Sequence, residues 1–180
     1  MKHLKLNSLF IALLFSVFTL TSCSDDDDNN SVTSPIALGS TVTVTNTFQS
    51  TAFTNDVELA IEDLFMMDAG ALASTATVTD DVEFSAYLLG LYDINISGNS
   101  ITFEVVAEAN DPTYGDLFRV LEADTFDRYY FTFNEAQNVN GFTSSNANVN
   151  LRIDSANVLV IEIGEGYDFN PDQSFTITLN

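Results

Sequence analysis

Leu91-Tyr92-Asp93-Ile94-Asn95-Ile96-Ser97-Gly98-Asn99-Ser100-Ile101-Thr102-Phe103-Glu104-Val105-Val106 is the stretch that decides the fold. Large apolar residues alternate with polar ones on both sides of Ser97-Gly98-Asn99-Ser100. A period of two puts each apolar set on one face of an extended strand, and Gly, Asn and Ser between two such runs are turn chemistry. The stretch predicts a β-hairpin with one buried face. Outward from it, 41–48 alternates and is rich in β-branched residues, and 82–86 alternates and runs into Tyr87-Leu88-Leu89. Further strands are expected at 118–121, 128–133, 147–153, 158–163 and 175–179. Roughly eight short strands separated by Gly, Asn and Asp turns predict an all-β fold, an antiparallel β-sandwich of immunoglobulin-like or jelly-roll-like type. One short helix is expected near 56–69. Val57, Ile61, Leu64, Phe65 and Leu72 share a helical face, Asn55 with Glu58 reads as a capping box, and Gly70 as a stop. Val57, Leu59 and Ile61 also alternate, so a strand is the competing reading there.

The chain has 180 residues, with 5 Lys+Arg against 26 Asp+Glu, one His, one Cys and no Trp. A net charge of -21 argues against nucleic acid, whose phosphates are bound by Lys and Arg, and against adhesion to an anionic lipid surface. Fifteen Phe and six Tyr supply apolar material for a core. Lys2, His3 and Lys5 precede an uncharged apolar run from Leu9 to Leu20. That run is the size of a signal-peptide core and too short to span a bilayer. Without residues 1–22 the only cations are Arg119, Arg128 and Arg152, and no His or Lys remains.

The run ends in Leu20-Thr21-Ser22-Cys23, which resembles a bacterial lipobox. The resemblance implies a signal peptide at 1–22, lipidation of Cys23 and attachment to a membrane through its acyl chains. Ser24-Asp25-Asp26-Asp27-Asp28 is similar to the lipoprotein export signal of Bacteroidota, which implies the outer membrane and its external face. Residues 23–40, with Pro35 and Gly39, read as the lipidated Cys plus an acidic and polar tether, and 41–180 as a single sandwich domain. Val82-Glu83-Phe84, Asp93-Ile94-Asn95-Ile96 with Ser100-Ile101-Thr102-Phe103, and Ser174–Leu179 resemble β-sandwich modules of secreted bacterial proteins, which carry no assigned catalytic role. Asp154-Ser155-Ala156 resembles an Asp-Ser/Thr-aliphatic O-glycosylation motif, implying Ser155 as acceptor.

With Cys23 lipidated and no His in the mature chain, Cys/His zinc sites and Cys–His or Ser–His–Asp nucleophiles are excluded. Paired carboxylates survive as chemistry, for example Glu122 with Asp124, but spacing selects no pair, and the chain reads as a non-enzyme. Calcium is the one cofactor the composition admits. Asp93, Asn95, Ser97, Gly98 and Glu104 match the spacing of a helix–loop–helix calcium loop, but strands flank them, so a hairpin is expected instead. The turns 110–116 and 168–172 are the other oxygen-rich candidates, and both are adequate turns without a metal. In 127–133, alternation puts Tyr129, Phe131 and Phe133 in the core and Arg128, Tyr130 and Thr132 outside. Arg128 and Tyr130 are thus the candidate surface for a glycan or an envelope protein partner, against the alternative that they brace neighbouring strands. The expected protein is a non-catalytic binding or structural module of the envelope, or else a glycan- or transporter-associated one.

Overall fold

The computed structural model describes residues 34–106 and 121–180. Among these residues eleven strands form two antiparallel sheets. The larger holds β1 (Thr41–Gln49), β2 (Leu59–Ala60), β3 (Ser74–Thr77), β7 (Phe126–Phe133), β9 (Val149–Ser155) and β10 (Val158–Ile163). Its order is β2-β1-β7-β10-β9, and β3 pairs with the other half of the β1 edge that β2 occupies. The smaller runs β4 (Val82–Ala86), β5 (Tyr92–Ser97), β6 (Ser100–Val105), β11 (Phe175–Leu179), β8 (Phe142–Ser144). The fold is an all-β sandwich, as the alternation predicts. The 91–106 stretch is the β5–β6 hairpin, paired Tyr92↔Val105 through Ser97↔Ser100, so Asp93 and Glu104 lie in strands rather than in a calcium loop. At its tip the Gly98 carbonyl accepts a 2.9 Å bond from Ile36 N–H. A Cβ on Gly98 would lie 2.9 Å from that of Ser34, so the close approach of this preceding segment requires glycine.

The two inner faces meet in an aromatic cluster. Phe103 of β6 is its hub, with ring centroids 5.0 Å from Tyr129, 6.1 Å from Phe131, 5.1 Å from Tyr92 and 4.8 Å from Phe175. The first two belong to the opposite sheet and the last two to strands flanking β6. Most contacts are edge-to-face, the arrangement that brings a positive ring edge to a negative ring face. Val42, Val44, Leu159, Ile161, Ile94, Ile96, Ile101 and Ile177 fill the space around them.

Three local expectations are revised. Residues 34–40 pack on the domain instead of serving as tether: Ile36 is fully buried, and Ala37 N–H donates to Gln137 Oε1 at 2.8 Å. The helix expected near 56–69 is the single turn α1 (Ile61–Leu64), entered from β2, so strand and helix each take part of the segment. Its capping box is not formed, because Asn55 has φ 52° and Glu58 bonds across to Thr47 of β1. The chain leaves α1 before Gly70, through Met66 at φ 55°. Finally, Tyr87-Leu88-Leu89 does not extend β4. It forms the one-turn segment α2 (Tyr87–Gly90), with Ala86, Leu88 and Leu89 at φ 52°, 52° and 60°. Of the expected strand 118–121 only Leu121 lies within the described residues, and it is not in a strand.

Replacing Phe103 by Leu empties ring-sized space that four neighbouring rings cannot refill together. We expect a loss of about 2–3 kcal/mol of unfolding free energy with the β-sheet spectrum retained, measured by chemical denaturation. A loss below about 0.5 kcal/mol would mean that the cluster tolerates repacking around this hub.

Candidate functional site

The outer face of the larger sheet carries the cluster built on Arg128 and Tyr130. Opposite parity in β7 sends both outward, and register brings Thr47 and Glu162 beside Arg128. Arg128 Nε donates to Glu162 Oε2 at 2.7 Å and Nη1 to Gln49 Oε1 at 2.7 Å, while Glu58 Oε2 lies 3.2 Å from Nη1. Its guanidinium also lies 4.8 Å from the centre of the Phe126 ring. Glu58 arrives from the segment before β2 and accepts hydrogen bonds from Thr47 Oγ1, at 2.6 Å, and from the Tyr130 hydroxyl. Partial burial opposes ionisation of Glu58, but those two bonds and the Arg128 and Arg152 charges outweigh it and hold its carboxyl below the usual range. Arg128 is only 8% exposed, so the geometry is that of a cross-strand brace, with the guanidinium enclosed by its partners. Tyr130 is half-buried, and its phenol is engaged. Glu58 and Glu162 are both held by Arg128.

Behind this face lies a polar group that the sequence reading passed over. Asp127 is 3% exposed and accepts from Asn46 Nδ2 at 2.6 Å and from the Tyr129 hydroxyl at 2.9 Å. Asn46 Nδ2 also donates to the Arg128 carbonyl at 3.0 Å. Burial pushes the Asp127 carboxyl up, and the bonds from Asn46 and Tyr129 and the neighbouring Arg128 charge draw it back, leaving it at about 6. The signal was parity: Asp127 shares the inward frame of Tyr129, Phe131 and Phe133, and Asn46 that of Val42, Val44 and Phe48. The Tyr87 ring packs 6.1 Å from Tyr129. Its hydroxyl is buried without a hydrogen-bond partner among the described residues.

Tyr87 also lines a groove of about 380 Å³ with Leu72, Ser74, Thr75, Glu83, Ser85 and Leu88 among its other walls. Two carboxylates, Glu83 in its lining and Asp93 behind it, hold the backbone of this groove's wall. Glu83, in the β4 bulge, accepts from Thr79 N–H at 2.7 Å and Ile96 N–H at 2.6 Å. Asp93 accepts from Ala86 N–H at 2.7 Å and from Ser85 Oγ at 3.1 Å, holding the entry to the positive-φ turn. Both acids therefore serve the backbone of the groove wall.

Ser155 is exposed where β9 meets β10, its Oγ 2.9 Å from Asn157 Oδ1. Cys23, Ser24 and Asp25 to Asp28 lie outside the described residues, as does the turn at 110–116. The turn at 168–172 is closed by its own backbone, with Asn170 N–H to the Asp168 carbonyl at 2.8 Å. Among the described residues no group of three or more His, Cys, Asp or Glu is placed to hold a metal ion.

The Asp127 value fixes a pH dependence. Its carboxyl titrates at about 6 in the fold against 3.8 for an ordinary Asp, so between those values the folded state binds more protons than the unfolded one. Stability then falls as pH rises from about 4 to 6, by up to about 3 kcal/mol from this group, and no further above that. Asp127→Asn keeps an acceptor for Tyr129 and removes the titration. Chemical denaturation of both proteins from pH 4 to 7.5 should show the wild type losing stability relative to the variant, whereas parallel profiles would exclude the assignment. Comparison with known proteins gives no match to any family model, any curated protein or any solved structure.

Proposed function

We propose that this chain is a surface-exposed, lipid-anchored lipoprotein of the outer membrane whose sandwich is a non-catalytic binding or structural module of the cell envelope. The observation that carries the reading is Leu20-Thr21-Ser22-Cys23 at the end of an apolar run, followed at once by Ser24 and four Asp, with Ile36 the first buried core residue among the described residues. Lipidated Cys23 would hold the protein in the membrane, and the acidic run repels an anionic lipid surface. A non-catalytic role is supported by the carboxylates themselves. Glu58 and Glu162 are bound by Arg128, and Glu83 and Asp93 by backbone N–H groups.

A glycan- or transporter-associated binding module is the second reading. It rests on the groove, which Ser74, Thr75 and Ser85 line together with Ala86, Leu88 and Leu89 at positive φ. Held-open strain of this kind gathers at binding sites. The tyrosines give it less: Tyr87, Tyr92, Tyr129 and Tyr167 are buried, and Tyr130 is engaged with Glu58.

Cys23→Ala should move the protein from the membrane fraction to the soluble one, and unchanged fractionation would refute the lipid anchor. Protease treatment of intact cells should degrade the wild-type protein, while full protection would place it on the inner side of the membrane. Saturable binding of a soluble oligosaccharide that is lost in Ser74→Trp, with its thermal midpoint unchanged, would select the second reading.

A further inference from the structure

The connection from β7 to β8 carries Asn140-Gly141, the one asparagine of this chain that glycine follows. Glycine has no Cβ to shield its nitrogen, so that nitrogen can approach the side-chain carbon of the residue before it. The Asn140 amide is open to such an approach. The residue is exposed, and among the described residues its Nδ2 makes two long contacts, at 3.4 Å to the carbonyl and to Oδ1 of Asn138. Both exceed the usual length of an N–H···O bond. Gly141 N–H donates to the Asn180 carbonyl at 3.1 Å and shares that acceptor with Asn140 N–H, at 2.7 Å. Asn180 N–H returns a bond to the Gly141 carbonyl at 2.9 Å. This clamp starts the pairing of β8, a strand of three residues, with β11. So short an element opens locally at its end, which frees the Gly141 nitrogen.

We propose that Asn140 is a modification site, converted without an enzyme to aspartate and isoaspartate through a cyclic imide with Gly141. Hydroxide takes the Gly141 amide proton, the nitrogen attacks Cγ of Asn140, and the new N–C bond closes the ring. The side-chain nitrogen leaves as ammonia, taking its extra proton from water and so regenerating hydroxide. Water then opens the imide at one of its two carbonyls. Opening at Cγ gives aspartate; opening at the main-chain carbonyl gives isoaspartate, whose backbone runs through Cβ and Cγ. Overall water is consumed, ammonia is released, and nothing is oxidised or reduced. Isoaspartate inserts a methylene into the backbone between the two N–H groups and frees the former main-chain carbonyl as a carboxylate. The two N–H groups then no longer converge on the Asn180 carbonyl, so the change unfastens the start of β8 from β11. Glycine is not required here by the fold, since a Cβ on Gly141 would meet only Asn180 Nδ2, at 3.9 Å. Gly141→Ala therefore separates the chemistry from the structure.

Incubation of the full-length chain in mild detergent, at physiological temperature and mildly alkaline pH, tests the assignment. Mass spectrometry reads the loss of ammonia, enzymatic methylation reads isoaspartate, and a free peptide of the sequence Gln137–Thr143 serves as reference. Asn140 should convert ahead of every other asparagine, faster as pH rises. Gly141→Ala should slow the conversion about tenfold or more, because a Cβ hinders the attacking nitrogen, and should leave the thermal midpoint unchanged. In hydrogen exchange the converted fraction should lose protection at the Gly141 and Asn180 amides while β6 keeps its own. An Asn140 that survives a period in which the peptide converts completely, or a Gly141→Ala chain that converts as fast as the wild type, would overturn the site. Unchanged protection at Gly141 and Asn180 in the converted fraction would overturn its effect on the β8–β11 pairing.

Discussion

The parity of one strand governs this molecule. β7 is hydrogen-bonded along its length to β1 and to β10, pairing Val42–Gln49 on one side and Val158–Ile163 on the other. Both neighbours hold its register, so each residue has one face to occupy. Tyr129, Phe131 and Phe133 enter the aromatic cluster and take Asp127 with them, while Arg128 and Tyr130 go outward. A slip of one residue would drive the Arg128 guanidinium into the core and bring Tyr129 out to water, which no local repacking could offset.

The buried carboxylate is the strictest part of that constraint. Apolar side chains on the inner face tolerate exchange, because one branched aliphatic residue fills space much as another does. Asp127 does not, since an unpaired carboxylate in an apolar core is costly. Its donors come from one residue on β7 itself and one on β1, eighty-one positions earlier. Sliding β1 by two residues would preserve the apolar pattern but replace Asn46 with Val44 or Phe48 and leave Asp127 with Tyr129 alone. Thus Asn46 discriminates between registers that hydrophobicity alone leaves nearly equivalent.

How much could be read in advance follows from the same distinction between local and distant causes. β1, β5, β6 and β11 announce themselves because their burial alternates within the strand, and the face assignment of Arg128 and Tyr130 follows from parity alone. β2, β3 and β8 have two to four residues, too few for a period, and exist because a longer neighbour offers an open ladder. Tyr87-Leu88-Leu89 is an apolar run whose sequence favours extension. It turns left-handed where Asp93, on the following strand, binds Ala86 N–H. The enclosure of Arg128 was equally hidden. Alternation places the guanidinium outside but does not show that Glu58, seventy residues earlier, folds over to meet it.

The outer face of the larger sheet gains a further meaning from the overall charge. Arg128 and Arg152 are the only cations among the described residues, and pairing within β7, β9 and β10 puts both on this face. Glu58, Glu162 and Asp154 pair with them there, so the face comes close to local charge balance while the remaining acids are spread over the rest of the molecule. Two copies of a strongly acidic protein repel one another on most approaches. The repulsion is least where the charges are already paired.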